Sequence, residues 1–332
     1  MTLPSAALGV SGWLELLGSR CHYLESGTAN SGPPLLLLHG TGLGGAALTY
    51  AELLPRLARH RHVFALDWPG YGASGDDTFD ANSRPSKEEE SDDGESAYSV
   101  ARYRRYLAAF LERLALGPVD IVAFSMGAAV ALHHALAHPA QVRRLVLIDA
   151  YGLAGEVYVP LLPRALASTP RFPGLLWRAL RRRWFLRAVL QSFVFTSRHP
   201  IPDDLLTAVQ SEVVRPQSER PLLSFLGDDL GWWRLRTDLS DRLADVTAPT
   251  LLIHGSRDLI TPASRSRRAA RRIPRAELFI VPHCGHWTPR QAPATLAEAI
   301  ERFLQQPSGE TPDMSEDTYG QDEHTNSEQP YI

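Results

Sequence analysis

Short runs that are apolar at nearly every position recur along the chain, at residues 34–38, 62–66, 119–124, 144–148, 249–254 and 277–281. Runs of this length are too short for buried helices, and an apolar residue at every position, rather than every second one, marks strands covered on both faces. Between them lie longer stretches with helical periodicity. Residues 98–116 place Tyr103, Tyr106, Leu107, Phe110, Leu111 and Leu114 on one side and stop at Gly117-Pro118. Residues 46–60, the small and aliphatic residues after Ser125, and residues 263–273 and 293–304 read as further helices. Strand alternating with helix predicts an α/β fold with a mostly parallel central sheet and helices on both faces.

The pattern departs from this rhythm in four places. Trp13 to Leu17 and Cys21 to Glu25, separated by Gly18-Ser19, read as an antiparallel hairpin at one edge of the sheet. Residues 76–96 are acidic, polar and almost without aliphatics, so they bury too little to offset the entropy of ordering, and a mobile surface insertion is expected. Residues 151–245 show no clear strand and are rich in Pro, Arg, Leu and large aromatics, among them Trp177, Trp184, Phe185, Phe193, Phe195, Trp232 and Trp233. They read as a helical cap inserted between two strands. Within the cap, Arg181-Arg182-Arg183 reads as a solvated helix face, with an anionic ligand or a membrane surface as the alternative. The last departure, residues 307–332, is polar and acidic and expected to be disordered. The domain reading is therefore a core from 1–150 and 246–306 with a cap at 151–245.

Composition narrows the function classes. The chain has 332 residues, 44% hydrophobic and 21% charged, with a net charge of −3. It lacks the basic excess of a nucleic-acid binder, and no run is long enough to suggest an integral membrane segment. Cys21 and Cys284 are far apart and give neither a metal spacing nor a disulfide framework. No basic region followed by an apolar core and cleavage site opens the chain, so a cytoplasmic protein is expected.

Candidate chemistry clusters where strands end. The run 119–124 leads straight into Ser125-Met126-Gly127 and a helix, with the small residues Ala123 and Gly127 two positions either side of the serine. So sharp a turn points the hydroxyl over the sheet edge, with the Met126 N–H behind it. Run 34–38 ends in His39-Gly40-Thr41-Gly42, run 62–66 in Asp67-Trp68-Pro69-Gly70-Tyr71-Gly72-Ala73-Ser74, run 249–254 in Gly255-Ser256-Arg257-Asp258, and run 277–281 in Pro282-His283-Cys284-Gly285-His286-Trp287.

Taken together these motifs resemble the α/β-hydrolase superfamily: small-x-Ser-x-Gly for its nucleophile elbow, His-Gly-x-Gly for its oxyanion loop, Asp-x-Pro-Gly-x-Gly-x-Ser for a structural turn, and the order Ser, Asp, His for its triad. The resemblance implies Ser125 as nucleophile, His286 as base, Asp258 as the acid that orients it, and the N–H groups of Thr41 and Met126 as oxyanion donors. Asp149, after run 144–148, stands where a minority of the superfamily carries the acid and is the alternative. His39 and His254 read as hydrogen-bonded structural residues, His283 as a supporting residue, and Cys284 as packing. Such a site needs no metal or organic cofactor. Serine at position 125, rather than aspartate, argues against epoxide hydrolases and haloalkane dehalogenases and for acyl chemistry. The expected activity is cleavage of a carboxylic ester or thioester with a small hydrophobic acyl group. Gly285-His286-Trp287 also resembles the meta-cleavage carbon–carbon hydrolases, which stand as the alternative, and a non-catalytic ligand-binding member of the fold is a third reading.

Overall fold

The computed structural model describes residues 8–42, 44–75, 98–155, 172–216, 218–229 and 235–306. The acidic insertion, the tail, Trp232 and Trp233 lie outside these residues.

Strands β1 (Val10–Leu16), β2 (Ser19–Ser26), β3 (Leu35–Leu38), β4 (Val63–Leu66), β5 (Val119–Phe124), β6 (Val142–Ile148), β7 (Thr250–Gly255) and β8 (Ala276–Val281) form one sheet in the order β1-β2-β4-β3-β5-β6-β7-β8. From β4 to β8 all pairings are parallel, whereas β1 and β2 join antiparallel at the edge. β3, β4, β5 and β7 are buried at every position, which is why they are apolar except for Asp120 in β5 and Thr250 and His254 in β7. The hairpin turn sits one residue earlier than its sequence suggests. Leu16 pairs with Ser19, so Leu17 and Gly18 form the turn, both at positive φ, as the right-handed twist of a two-residue hairpin demands.

The helices cover both faces. Helices α1 (Ala46–Thr49) and α2 (Leu53–Leu57) replace the single helix expected over 46–60. Pro55 cannot donate to the preceding turn, and its ring clashes with the carbonyl four residues back, so the helix restarts with Pro55 in its first turn. Helices α3 (Val100–Arg113) and α4 (Met126–Ala137) bury Tyr103, Tyr106 and Phe110 against one face of the sheet. Ser99 caps α3 by accepting from the Arg102 N–H.

Between β6 and β7 the described residues hold α5 (Phe172–Leu180), α6 (Arg183–Val189), which runs on into a π-helical turn (Leu190–Val194), α7 (Asp203–Val214) and α8 (Glu219–Asp229), with one isolated bridge between Thr196 and His199. Helix α9 (Ser264–Ala270) follows β7, and α10 (Thr288–Gln291) and α11 (Pro293–Gln305) close the chain on the same face as α1 and α2. Among the described residues no helix is long and apolar enough to cross a membrane.

Candidate active site

The site stands beyond the carboxyl ends of β5, β7 and β8, where a parallel sheet leaves its strand termini open to ligand. Ser125 is the residue between β5 and α4. It has φ 51° and ψ −119°, a conformation L residues rarely adopt, fixed by its N–H to Ile148 O (2.9 Å) and by its carbonyl accepting from Ala128 and Tyr151 N–H. The small neighbours follow from close approach. A Cβ on Gly127 would lie 2.5 Å from the carbonyl oxygens of Leu38 and His39, and one on Gly40 would lie 2.8 Å from the Ser125 Cβ. Ala123, in register with Leu38 and Leu147, is fully buried and its methyl group is accommodated.

The structure brings Ser125, His286 and Asp258 into one hydrogen-bonded line. Ser125 Oγ lies 3.0 Å from His286 Nε2, and His286 Nδ1 lies 2.7 Å from Asp258 Oδ2. Because Nδ1 faces a carboxylate it carries the proton, which leaves Nε2 to accept from the serine hydroxyl. Burial alone would lower the His286 pKa, but the Asp258 charge and hydrogen bond, with Asp149 adding to them, raise it above the ordinary histidine value. Burial likewise opposes ionisation of Asp258. The charges and hydrogen bonds of His286 and His254 override that and hold its carboxyl well below the usual carboxylate range.

Asp258 is held by more groups than its sequence spacing reveals. Oδ1 accepts the backbone N–H of Ile260 (2.8 Å) and Thr261 (2.9 Å), and Oδ2 accepts from Thr261 Oγ1 (2.8 Å) and His254 Nε2 (3.1 Å) as well as from His286. Thr261 is absent from the sequence reading, although an acid followed three residues later by a hydroxyl at a turn is a local signal for it. His254 reads as a hydrogen-bonded structural residue, but its partner does not follow from the sequence, since it depends on β7 ending with that ring beneath the carboxylate.

Asp149, the alternative acid, does not reach His286. Its Oδ1 accepts the Gly255 N–H (2.8 Å) and its Oδ2 the N–H and hydroxyl of Thr288 (3.1 and 2.5 Å). It ties the ends of β6 and β7 to α10. Burial, offset by the His254 charge and reinforced by Asp258, pushes its pKa up to about 6. Ligand atoms of Asp149, His254 and Asp258 lie within 4.8 Å of one another, a separation a metal ion could bridge. Their lone pairs already accept N–H and O–H donors, and His254 Nε2 also faces the Thr261 carbonyl, so it carries a proton. The trio is a hydrogen-bonded cluster rather than a ligand set.

The loop after β3, which carries Gly40 and Thr41, is fastened from behind. His39 Nδ1 donates to Gly40 O (2.7 Å), its Nε2 accepts from the Trp68 N–H (3.1 Å), and the Trp68 indole donates to His39 O (2.9 Å). Burial lowers the His39 pKa, in keeping with a neutral ring in this tautomer. Thr41 Oγ1 and Tyr71 Oη share a hydrogen bond of 2.5 Å. Asp67 accepts from the N–H groups of Ala46 and Ala73 and from His22 Nδ1, so the turn after β4 is structural. His283, at φ 61°, turns its ring toward Arg198, and burial together with the Asp149 charge pushes the Cys284 thiol up to about 12, leaving it an inert packing group.

The segment after α6 reaches this site directly. The carbonyl of Val194 accepts the His286 N–H (2.9 Å) and Gln291 Nε2 (3.2 Å), Thr196 Oγ1 donates to His283 O (2.6 Å), and Phe195 packs on Trp287. On the other side of the imidazole lies Phe124, ring centroids 5.3 Å apart.

Comparison with known proteins places this arrangement among relatives. A family model described as the alpha/beta hydrolase fold matches residues 33–292. The chain is 28% identical over 276 residues to the 2-hydroxy-6-oxo-2,4-heptadienoate hydrolase of Pseudomonas putida, covering 82% of this chain and 90% of that one. It is 28% identical over 312 residues to a 2-hydroxymuconate semialdehyde hydrolase of a Pseudomonas species, covering 92% and 97%. Among solved structures, a serine hydrolase involved in carbazole degradation superposes with a TM-score of 0.68 at 23% identity, over 89% of this chain and 98% of that one. A membrane phospholipase A superposes at 0.70 and 24%, over 91% and 88%. At these identities the superpositions speak to the fold.

Proposed function

The chain belongs to the α/β-hydrolase fold family, and on that premise we propose that it is a serine hydrolase cleaving a carbon–carbon bond beside a ketone, in a dienoic acid of the meta-cleavage type. The hydrogen-bonded line Ser125–His286–Asp258 carries the hydrolase part of the reading. The named relatives, matching 82% and 92% of the chain, support the substrate class.

In this reading the Ser125 oxygen attacks the ketone carbon as His286 Nε2 takes its proton, and Asp258 steadies the imidazolium through Nδ1. The N–H groups of Met126 and Thr41 receive the developing oxyanion, each donor worth about 3 kcal/mol. When the tetrahedral adduct collapses, the bond to the neighbouring carbon breaks. The departing carbanion is tolerable only once the 2-hydroxydiene has tautomerised to its 2-keto form, a proton moving from the 2-hydroxyl to the carbon beside the 6-ketone; its charge then spreads to the new 2-carbonyl as a dienolate, and the proton on His286 quenches it. Water then attacks the acyl-serine with His286 again as base, releasing the acid and restoring the hydroxyl. Residues 151–245 act as the cap in this scheme. Their link to His286 through the Val194 carbonyl supports the idea that cap and base are positioned together.

A second reading, hydrolysis of a carboxylic ester with a hydrophobic acyl chain, uses the same steps with an alkoxide as leaving group. The Phe124 ring beside His286 favours it, since an apolar wall next to the reacting atoms suits an acyl chain. Steady-state rates on one preparation with a 2-hydroxy-6-oxo-dienoate and with esters of increasing acyl length separate the two. Fast dienoate cleavage with weak, chain-independent ester turnover supports the first. A kcat/KM that climbs with acyl length and a negligible dienoate rate supports the second. If neither substrate is turned over, or turnover survives in Ser125→Ala, the serine-hydrolase reading falls.

A further inference from the structure

Residues 157–202 contain eight arginines and no aspartate or glutamate, in a chain whose net charge is −3. A solvated helix face explains arginines. It does not explain the apolar side chains that the same segment leaves in water. Trp184 is 72% exposed, Leu175 60% and Phe193 56%. Helix α6 and its π-helical continuation bury Leu186 and Leu190, which puts Trp184 and Ala188 on the opposite side, and α5 packs against α6. Arg178, Arg181 and Arg182 are exposed around these side chains, whereas Arg183 and Arg187 are paired with Asp203 at the start of α7.

Isolated exposed hydrophobics are ordinary, but a tryptophan and leucines interspersed with unopposed arginines are the chemistry of a surface that lies in a lipid headgroup layer. The indole suits the interface because one edge is apolar and the other carries a donor, and arginine stems lie along apolar surface while their heads reach phosphate. The segment also reaches the site: the π-helical turn that continues α6 ends at Val194, whose carbonyl holds the His286 N–H.

We propose that the face formed by α5 and the Trp184 side of α6 docks the protein peripherally on a bilayer rich in anionic lipid, with Trp184 and Leu175 entering the headgroup layer and Arg178, Arg181 and Arg182 contacting lipid phosphates. The bilayer is chosen over a protein partner because the exposed charges of α5 and of the link to α6 are of one sign, which a layer of lipid phosphates matches. Docking would bring the mouth of the site next to the phase in which a lipophilic substrate is concentrated. It does not depend on which bond the site cleaves.

The test is flotation of the full chain with vesicles of phosphatidylcholine alone and of phosphatidylcholine mixed with phosphatidylglycerol, at low and high salt, while following the tryptophan emission. The expected result is binding to the mixed vesicles with a blue-shifted emission, loss of binding in high salt, and none to phosphatidylcholine alone. An arginine near an anionic surface is worth about fivefold in partitioning, so Arg181→Ala with Arg182→Ala lowers it about 25-fold. Trp184→Ser with Leu175→Ser removes the emission shift. Both double variants retain wild-type turnover of a water-soluble substrate, which separates docking from damage to the site. Absence of binding to anionic vesicles, equal binding to both compositions, or binding unchanged in the variants overturns the proposal. So does finding that Trp184→Ser with Leu175→Ser dissolves a dimer while vesicles bind neither protein, since the face is then a contact between copies.

Discussion

The His254 imidazole lies beneath the Asp258 carboxylate, with Nε2 3.1 Å from Oδ2, and it is locked there by Ser266 Oγ at 2.7 Å from Nδ1. Three side chains therefore share one carboxylate oxygen, and only one of them is His286. Replacing His254 by Asn leaves too short a side chain to reach. Loss of a hydrogen bond to a buried charge costs about 1.5–3 kcal/mol, so the melting temperature of His254→Asn falls by several degrees. With one donor fewer, Asp258 becomes more basic and favours the imidazolium, so the acid limb of kcat/KM against pH moves upward. An unchanged melting temperature and an unchanged limb would refute the coupling.

Asp258 and Asp149 are separated by what they hold. Asp258→Asn removes the acceptor that fixes the His286 tautomer and is expected to lower kcat by about 10⁴-fold. Asp149→Asn presents an amide N–H₂ to N–H and O–H donors of Gly255 and Thr288. It is expected to cost about 1–3 kcal/mol of stability while kcat stays within an order of magnitude. Denaturation midpoints and kcat for the two variants decide the assignment, and the reverse ranking in kcat makes Asp149 the acid.

Much of this arrangement was legible beforehand. The sheet strands were, because β3, β4, β5 and β7 are buried on both sides and hence apolar at nearly every position. Ser125, Asp258 and His286 were, because each follows a strand at a turn whose small residues are dictated by backbone contact. What was not legible depends on partners distant in sequence: the Val194 carbonyl on the His286 N–H, Tyr71 on Thr41, and His254 on Asp258. Each joins groups that no local spacing relates. The break between α1 and α2 was readable in Pro55, whereas the hairpin turn was misplaced because Leu17 accepts a positive φ that propensity would assign to Gly18-Ser19.

The pH dependence follows from the raised pKa of His286. In its proposed role as base it must be neutral in the free enzyme, so kcat/KM rises with pH and reaches its plateau above a midpoint higher than the ordinary 6.5. Asp258→Asn removes the charge that raises it and shifts the limb downward. For stability the sign is opposite: a base with a raised folded pKa contributes fully below its unfolded value, and that contribution is lost as pH rises through the folded one. Asp258, depressed, contributes above the unfolded value of about 3.9 and loses its contribution as pH falls below it. A kcat/KM midpoint below 6.5 in the wild type would contradict the Asp258–His286 coupling.

The elbow gives two substitutions of opposite sign two residues apart. Ser125 is held at φ 51° and ψ −119°, a region that costs a residue with a Cβ about 1–3 kcal/mol and glycine almost nothing. Ser125→Gly removes the proposed nucleophile and the strain together. Part of the relief is offset by the greater freedom of glycine in the unfolded chain, so a net gain of roughly 1 kcal/mol is expected alongside a fall in turnover of at least about 10³-fold. Ser125→Ala loses the same activity and, keeping the Cβ, stays near wild-type stability. Gly127→Ala puts a methyl group 2.5 Å from two backbone carbonyl oxygens that no rotamer change can move. The helix and β3 must separate, displacing Ser125 from His286, so both stability and turnover fall. Urea denaturation of the three variants orders them Ser125→Gly, then Ser125→Ala, then Gly127→Ala. A Gly127→Ala protein as stable and as active as wild type would mean that the close approach of α4 to β3 does not set the position of the serine.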